Sequence, residues 1–149
     1  ICVRLVGSEM CIRDRYRDGD LNTVILPVRG YGLWGILYGY LAISNDLNTI
    51  VGLEFYEHKE TPGLGAEIDN PAWKALWNGK KLFDEEGNLL IKVIKGKVTV
   101  NEANSNYKVD GLSGATLTSN GVTNLLAFWL GELGYLKFLS NLKEEVSNV

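Results

Sequence analysis

The sequence is short of the residues that most often carry bridging or reactive chemistry. It has two cysteines, Cys2 and Cys11, and both fall in the first 17 residues. The remainder has none, so neither a disulfide framework nor thiol chemistry supports it. The single histidine, His58, is the only one from which a Ser/His/Asp set could be assembled. With no cysteine cluster beside it, it gives no case for a metal site, and it reads as a surface or structural residue. Long apolar runs are also missing: the longest, 31–43, has 13 residues and is interrupted by three glycines. That is too short to span a bilayer. Positive charge is scarce as well. The net charge is −3; residues 1–17 contribute +2, which leaves −5 for the rest. An acidic domain is a poor candidate for nucleic acid or an anionic membrane surface.

What is present is an ordinary globular composition. The chain of 149 residues is 46% apolar and suits one domain with a real core. Residues 1–17 lack a sustained period of either 2 or 3.6. They are expected to be a non-native or artefactual segment resembling translated adapter sequence, the alternative being an irregular native arm. The domain is therefore read as 18–149. Leu21 to Val28 reads as a strand, with Pro27 toward an edge or end, and Leu33 to Ile43 and Thr49 to Tyr56 as two more. Asn70-Pro71 starts a helix that runs to Trp77. Lys81 to Phe83 and Leu89 to Ile94 flank a turn at 84–88, and Val98 to Asn101 is a further strand candidate. Beyond Thr116 the pattern is helical to the end, broken at Gly131 or Gly134. The class is α+β: one domain with a largely antiparallel twisted sheet, flanking helices and a C-terminal helical segment.

One stretch carries chemistry. Asp110-Gly111-Leu112-Ser113-Gly114-Ala115-Thr116 sets a hydroxyl among small residues just ahead of a helix start. Small side chains let a phosphate approach the backbone, and a helix N-terminus favours it through free N–H groups and the dipole. Thr118, Ser119 or Asn120 would be the N-cap, leaving Thr116 in a loop. The pattern points to a phosphorylated ligand on or beside Thr116, against the plainer reading of a Ser/Thr-rich loop that caps a helix. A threonine hydroxyl is a weak nucleophile without an adjacent base. An external modifying enzyme therefore suits this chain better than self-catalysis.

The Asp-x-x-Ser-Gly-Ala-Thr stretch resembles the covalent flavinylation motif of FMN-binding domains in bacterial respiratory complexes. Gly32-Leu33-Trp34, Tyr38-Gly39-Tyr40, Phe55-Tyr56-Glu57-His58 and Glu60-Thr61-Pro62-Gly63-Leu64-Gly65 look like the C subunit of the Na⁺-translocating NADH:quinone reductase. So do Trp73-Lys74-Ala75-Leu76-Trp77, Ile94-Lys95-Gly96-Lys97 and Phe128-Trp129-Leu130-Gly131. The resemblance implies a one-electron flavin carrier with FMN joined by phosphoester to Thr116, placed there by a separate Mg²⁺-dependent flavin transferase. Asp110, Ser113, Gly114 and Ala115 are the matching motif positions. It also implies other members of the complex as partners, a missing N-terminal membrane anchor, and a place on the periplasmic side of the bacterial inner membrane. This fragment would itself be soluble, and not catalytic alone. NADH oxidation and Na⁺ movement fall to other members of the complex, and no dinucleotide fingerprint is read after any strand here.

By matching position, Glu60, Thr61 and Leu64 are flavin neighbours; the plainer reading is an ordinary loop. Pro62-Gly63 fits the centre of a type II turn. Trp34 is a candidate to pack on the ring, against a core tryptophan. Lys95 matches a lysine that contacts the flavin, where a cation would favour an anionic reduced ring; Lys97 competes for that role. Trp73, Leu76 and Trp77, and Phe128, Trp129, Leu133 and Phe138, read as core. Two rivals stand beside this reading. One is the related G subunit of an ion-translocating ferredoxin:NAD oxidoreductase, and the other a non-redox interaction module that never receives FMN.

Overall fold

The computed structural model describes residues 4–6, 10–17 and 20–148, with side chains from Leu21 onward. Its frame is a five-stranded antiparallel sheet: β1 (Arg4–Val6), β2 (Met10–Arg17), β3 (Asp20–Tyr31), β4 (Ile36–Ser44) and β5 (Ile50–Glu57), hydrogen-bonded in chain order. The segment expected to be non-native thus supplies two backbone strands, β2 beside β3 and β1 beside β2. β3 pairs with β4 from Thr23↔Ser44 to Tyr31↔Ile36. Alternation decides the faces. Val24, Leu26 and Val28 of β3, Leu37, Leu41 and Ile43 of β4, and Leu53 and Phe55 of β5 point to one buried side. Each such side chain, fully buried, contributes about 1.5–3 kcal/mol.

The helices cover that side. A 3₁₀ turn over Gly65–Asp69 leads into α1 (Pro71–Ala75), where the Asn70 side chain accepts from the N–H of Ala72 and Pro71 takes the first position. The helix is shorter than the expected run to Trp77, continuing only as turns, yet Trp73 and Trp77 are buried as foreseen. Leu76 is not; it lies 37% exposed. α2 (Thr116–Trp129) lays Val122, Leu125 and Leu126 on the sheet, and α3 (Leu136–Ser147) adds Leu139 and Leu142. The helical break falls between them, at 130–135, as the two glycines suggested. Phe128 and Leu133, expected in the core, are exposed, whereas Trp129 and Phe138 pack partly against it.

Two polar ties hold the helical layer to β3. Trp129 Nε1 donates to the Arg29 carbonyl (2.7 Å) and the Tyr135 hydroxyl to that of Pro27 (2.6 Å). Both carbonyls lie beyond Ile25, the last β3 residue paired with β2. Pro27, which has no N–H to give a ladder, sits in that same one-sided stretch.

The second half of the chain departs more from expectation. A short parallel pair joins β6 (Lys92–Val93) to β7 (Lys108–Val109), and Phe83↔Leu89 is a single bridge across the turn at 84–88. Val98 to Asn101 forms no strand. The N–H of Val98 is taken by the Asp110 carboxylate rather than by a neighbouring strand, and the chain then turns.

Candidate functional site

The motif residues gather where two turns meet the start of α2. In the first turn the Leu64 N–H donates to the Thr61 carbonyl (3.1 Å), with Pro62 second and Gly63 third at φ +74°. Position three of a type II turn needs that sign of φ. In the second, the Ala115 N–H donates to the Leu112 carbonyl (3.2 Å), with Gly114 at φ +70°. The turns pack against each other: a Cβ on Gly114 would lie 3.0 Å from Leu64 Cδ2. Ser113 is exposed at the tip of the second turn and Thr61 at the start of the first.

α2 begins three to five residues earlier than the capping pattern suggests. Thr116 is its first residue, not a loop residue, and Ala115 occupies the cap position with no side-chain cap. The expected caps are engaged elsewhere. Ser119 is buried, accepts from the Leu112 N–H (3.1 Å) and donates to the Ala115 carbonyl (3.1 Å). Thr118 is buried and donates to Glu60, and Asn120 is exposed. The first intrahelical bond at this end runs from the Ser119 N–H to the Ala115 carbonyl. The N–H groups of Thr116, Leu117 and Thr118 are thus left without an intrahelical acceptor, and Thr116 itself is exposed.

Glu60 is 6% exposed, and both its oxygens are engaged. Oε1 accepts from the N–H groups of Leu33 and Trp34, each at 3.0 Å, and Oε2 from the Thr118 hydroxyl. This carboxylate therefore joins the Gly32–Gly35 turn to the first turn of α2. Trp34 is no core tryptophan; it lies 65% exposed, as do Leu117 at 60% and Leu64 at 43%. His58 supports the arrangement: Nδ1 accepts from the Glu60 N–H (3.2 Å), so Nε2 carries the proton facing Asp69 (2.5 Å). Its role is structural. Among the described residues no His/Cys/Asp/Glu cluster could hold a metal.

Asp110 ties the start of the motif to neighbouring segments. Its Oδ1 accepts from the Val98 N–H (2.8 Å) and its carbonyl from Trp73 Nε1 (2.8 Å). The loop 94–97 is drawn toward the motif, where the Gly111 N–H donates to the Gly96 carbonyl (2.8 Å). A small cleft of about 40 Å³ results, with Lys95, Gly111, Thr116 and Asn120 in its wall. Lys95 borders this cleft; Lys97 is not among its lining residues.

One reading of the sequence needs correcting. Gly30-Tyr31-Gly32-Leu33-Trp34-Gly35 does spell Gly-x-Gly-x-x-Gly directly on a strand. It leads into antiparallel β4, however, and not into a helix of a parallel βαβ unit. The helix N-terminus that would take a dinucleotide pyrophosphate is absent from it, so it is a hairpin and no cofactor fingerprint. Thr118, Leu33 and Leu117 were not foreseen at the site. Thr118 was visible only as a cap candidate, because nothing local reports a partner 58 positions away.

These features fit a flavin mononucleotide. Three uncapped N–H groups and small residues suit a phosphate, and the exposed apolar side chains of Trp34, Leu64 and Leu117 suit a flat ring. Comparison with known proteins agrees. The FMN-binding domain model matches residues 32–131. The C subunit of the Na⁺-translocating NADH-quinone reductase from Pseudomonas aeruginosa is 61% identical over 127 residues, covering 85% of this chain and 49% of that protein. Its namesake from Yersinia pestis is 51% identical over 126 residues, covering 85% and 46%. Among solved structures, NqrC of Shewanella oneidensis superposes with a TM-score of 0.83 at 40% identity, over 91% of this chain and 61% of that one. The structure of the reductase's C subunit from Parabacteroides distasonis gives 0.73 at 39% identity, over 88% and 63%. The chain spans about half the length of the two named sequence relatives. With its uncapped helix start, its family match and these relatives, the chain belongs to the FMN-binding domain family, with FMN as its cofactor.

Proposed function

We propose that this domain is the flavin-bearing part of the C subunit of a Na⁺-translocating NADH:quinone reductase, with FMN held by phosphoester on Thr116. The observation that carries this is the position of Thr116. Thr116 is exposed as the first residue of an uncapped helix and shares the wall of a small cleft with Lys95. Among the described residues no side chain is hydrogen-bonded to the Thr116 hydroxyl as a base would be. The one histidine is held by Glu60 and Asp69, and Glu60 is itself occupied. Attachment thus falls to a flavin transferase, which supplies the base that takes the threonine proton as the Oγ–P bond forms and the donor's bond to its leaving group breaks.

When bound, FMN supplies one-electron redox chemistry, and the protein's part is to place it and set its surroundings. The N–H groups of Thr116 to Thr118 and the helix dipole would stabilise its phosphate. Trp34, Leu64 and Leu117 would give the ring apolar contacts that keep water from it, and Lys95 would bring positive charge near it. A covalent tether suits a carrier with an open site, because a ligand so exposed would otherwise be lost on dilution. In this reading the domain works among the other members of the complex, on the periplasmic side of the inner membrane. Among the described residues no helix is long and apolar enough to cross a membrane.

The test is co-expression with a flavin transferase, then denaturing electrophoresis under ultraviolet light and intact mass. Wild type should give a fluorescent band and a mass gain of one FMN less water, and Thr116→Ala neither. Fluorescence retained in Thr116→Ala would refute the attachment. No band in either would leave the interaction module as the better account.

A further inference from the structure

We propose that Glu60 is a positioning residue: it locks Trp34 to the helix turn that carries Thr116, and so sets the indole against the flavin. The inference rests on the reading of Thr116 as the attachment point. Glu60 does not touch the ring in this scheme, because its two oxygens are spent within the protein. One holds the main chain of Leu33 and Trp34, and the other the hydroxyl of Thr118, two residues past Thr116.

The surroundings of Glu60 are shaped for this bridge. A Cβ on Gly32 would come within 2.5 Å of Oε1. One on Gly65 would come within 2.6 Å of both Oε2 and Thr118 Oγ1. Two absent side chains therefore make the space that the carboxylate fills. The main chain of Glu60 is fixed from the other side by His58, itself held by Asp69. The turn bearing Trp34 is closed on itself by the Gly32 N–H to the Gly35 carbonyl at 2.8 Å. Its indole is mostly exposed, so packing does not orient it. Gly121 of α2 packs closely on the main chain of Tyr31 and Gly32, and main-chain bonds to one carboxylate then fix Leu33 and Trp34 relative to the turn that carries Thr116. Such a buried group specifies geometry only while every bond it makes is kept.

The test uses protein flavinylated in cells and compares flavin emission in the native state with that after unfolding, which divides out differences in loading. An indole in contact with the ring quenches native emission, so Trp34→Leu should raise the ratio severalfold. Glu60→Ala and Thr118→Val should each at least double it, with flavin still attached. Glu60→Gln should stay close to wild type. Its Oε1 can still accept both N–H groups, while its amide nitrogen donates to the Thr118 oxygen, which can accept. If Glu60→Ala fails to fold, the near-isosteric Thr118→Val decides. A wild-type ratio in Thr118→Val or in Trp34→Leu would overturn the proposal. So would a Glu60→Gln ratio as high as that of Trp34→Leu, since charge rather than position would then matter. Wild-type protein that carries no flavin at residue 116 would sink the attachment itself, an outcome distinct from all of these.

Discussion

Gly111→Ala should damage the site by a route that involves no ligand contact. A Cβ built there lies 2.2 Å from the Ile94 carbonyl oxygen and 3.3 Å from the Gly96 nitrogen. The obstacle is main chain, so no rotamer change relieves it. The loop must move by roughly 1 Å to restore an ordinary carbon–oxygen separation. That movement strains or breaks the 2.8 Å bond from the Gly111 N–H to the Gly96 carbonyl. Overpacking costs about 1–3 kcal/mol and the hydrogen bond about 0.5–1.5, or about 1.5–4.5 kcal/mol together. Urea denaturation should show the midpoint falling at unchanged slope. Because Lys95 rides on the displaced loop and Thr116 follows the motif, covalent flavin yield should fall as well. Gly52→Ala is the control. Nothing lies within 4 Å of its added Cβ and its φ is not positive, so that change should be neutral or stabilising by up to about 1 kcal/mol. A loss below about 0.5 kcal/mol in Gly111→Ala, no greater than that of ordinary surface changes, would refute the close-approach argument.

Thr116→Ala should leave stability within about 0.5 kcal/mol of wild type, since the exposed hydroxyl caps nothing. Circular dichroism showing an unfolded variant would contradict this. Lys95→Ala should lower the flavin potential by a few tens of millivolts, most visibly at low ionic strength. An unchanged redox titration would remove Lys95 from the site. Tyr135→Phe should cost on the order of 1 kcal/mol at neutral pH, for the lost bond to the Pro27 carbonyl. It should also alter the alkaline limb. Burial pushes the Tyr135 phenol well above its ordinary value of 10.0. The native state thus keeps a proton that the unfolded chain releases. This contribution is whole below pH 10 and is lost as pH rises above it, by at most about 1.4 kcal/mol per pH unit. Denaturation midpoints measured across that range should fall less steeply in Tyr135→Phe, and parallel curves would contradict the assignment.

The sequence by itself determined much of this protein. Runs of branched and aromatic residues bounded by turn signals marked β3, β4 and β5, and Asn70-Pro71 marked a helix start, because these signals lie within a few residues of what they specify. The seven-residue motif around Thr116 was legible for the same reason, as was the Pro62-Gly63 turn. Val98 to Asn101 misled, since a carboxylate twelve positions away took the N–H that a strand partner would have used. The cap of α2 misled likewise: Thr118 and Ser119 have capping chemistry, and only tertiary contacts reveal that their hydroxyls are committed to Glu60 and to the Leu112–Ala115 turn. The Gly30–Gly35 stretch has the letters of a dinucleotide loop, and antiparallel pairing with β4 denies it that role. Local patterns thus report backbone preference and chemical type. Which oxygen meets which donor depends on chain segments brought together from far apart, and that the folded structure alone decides.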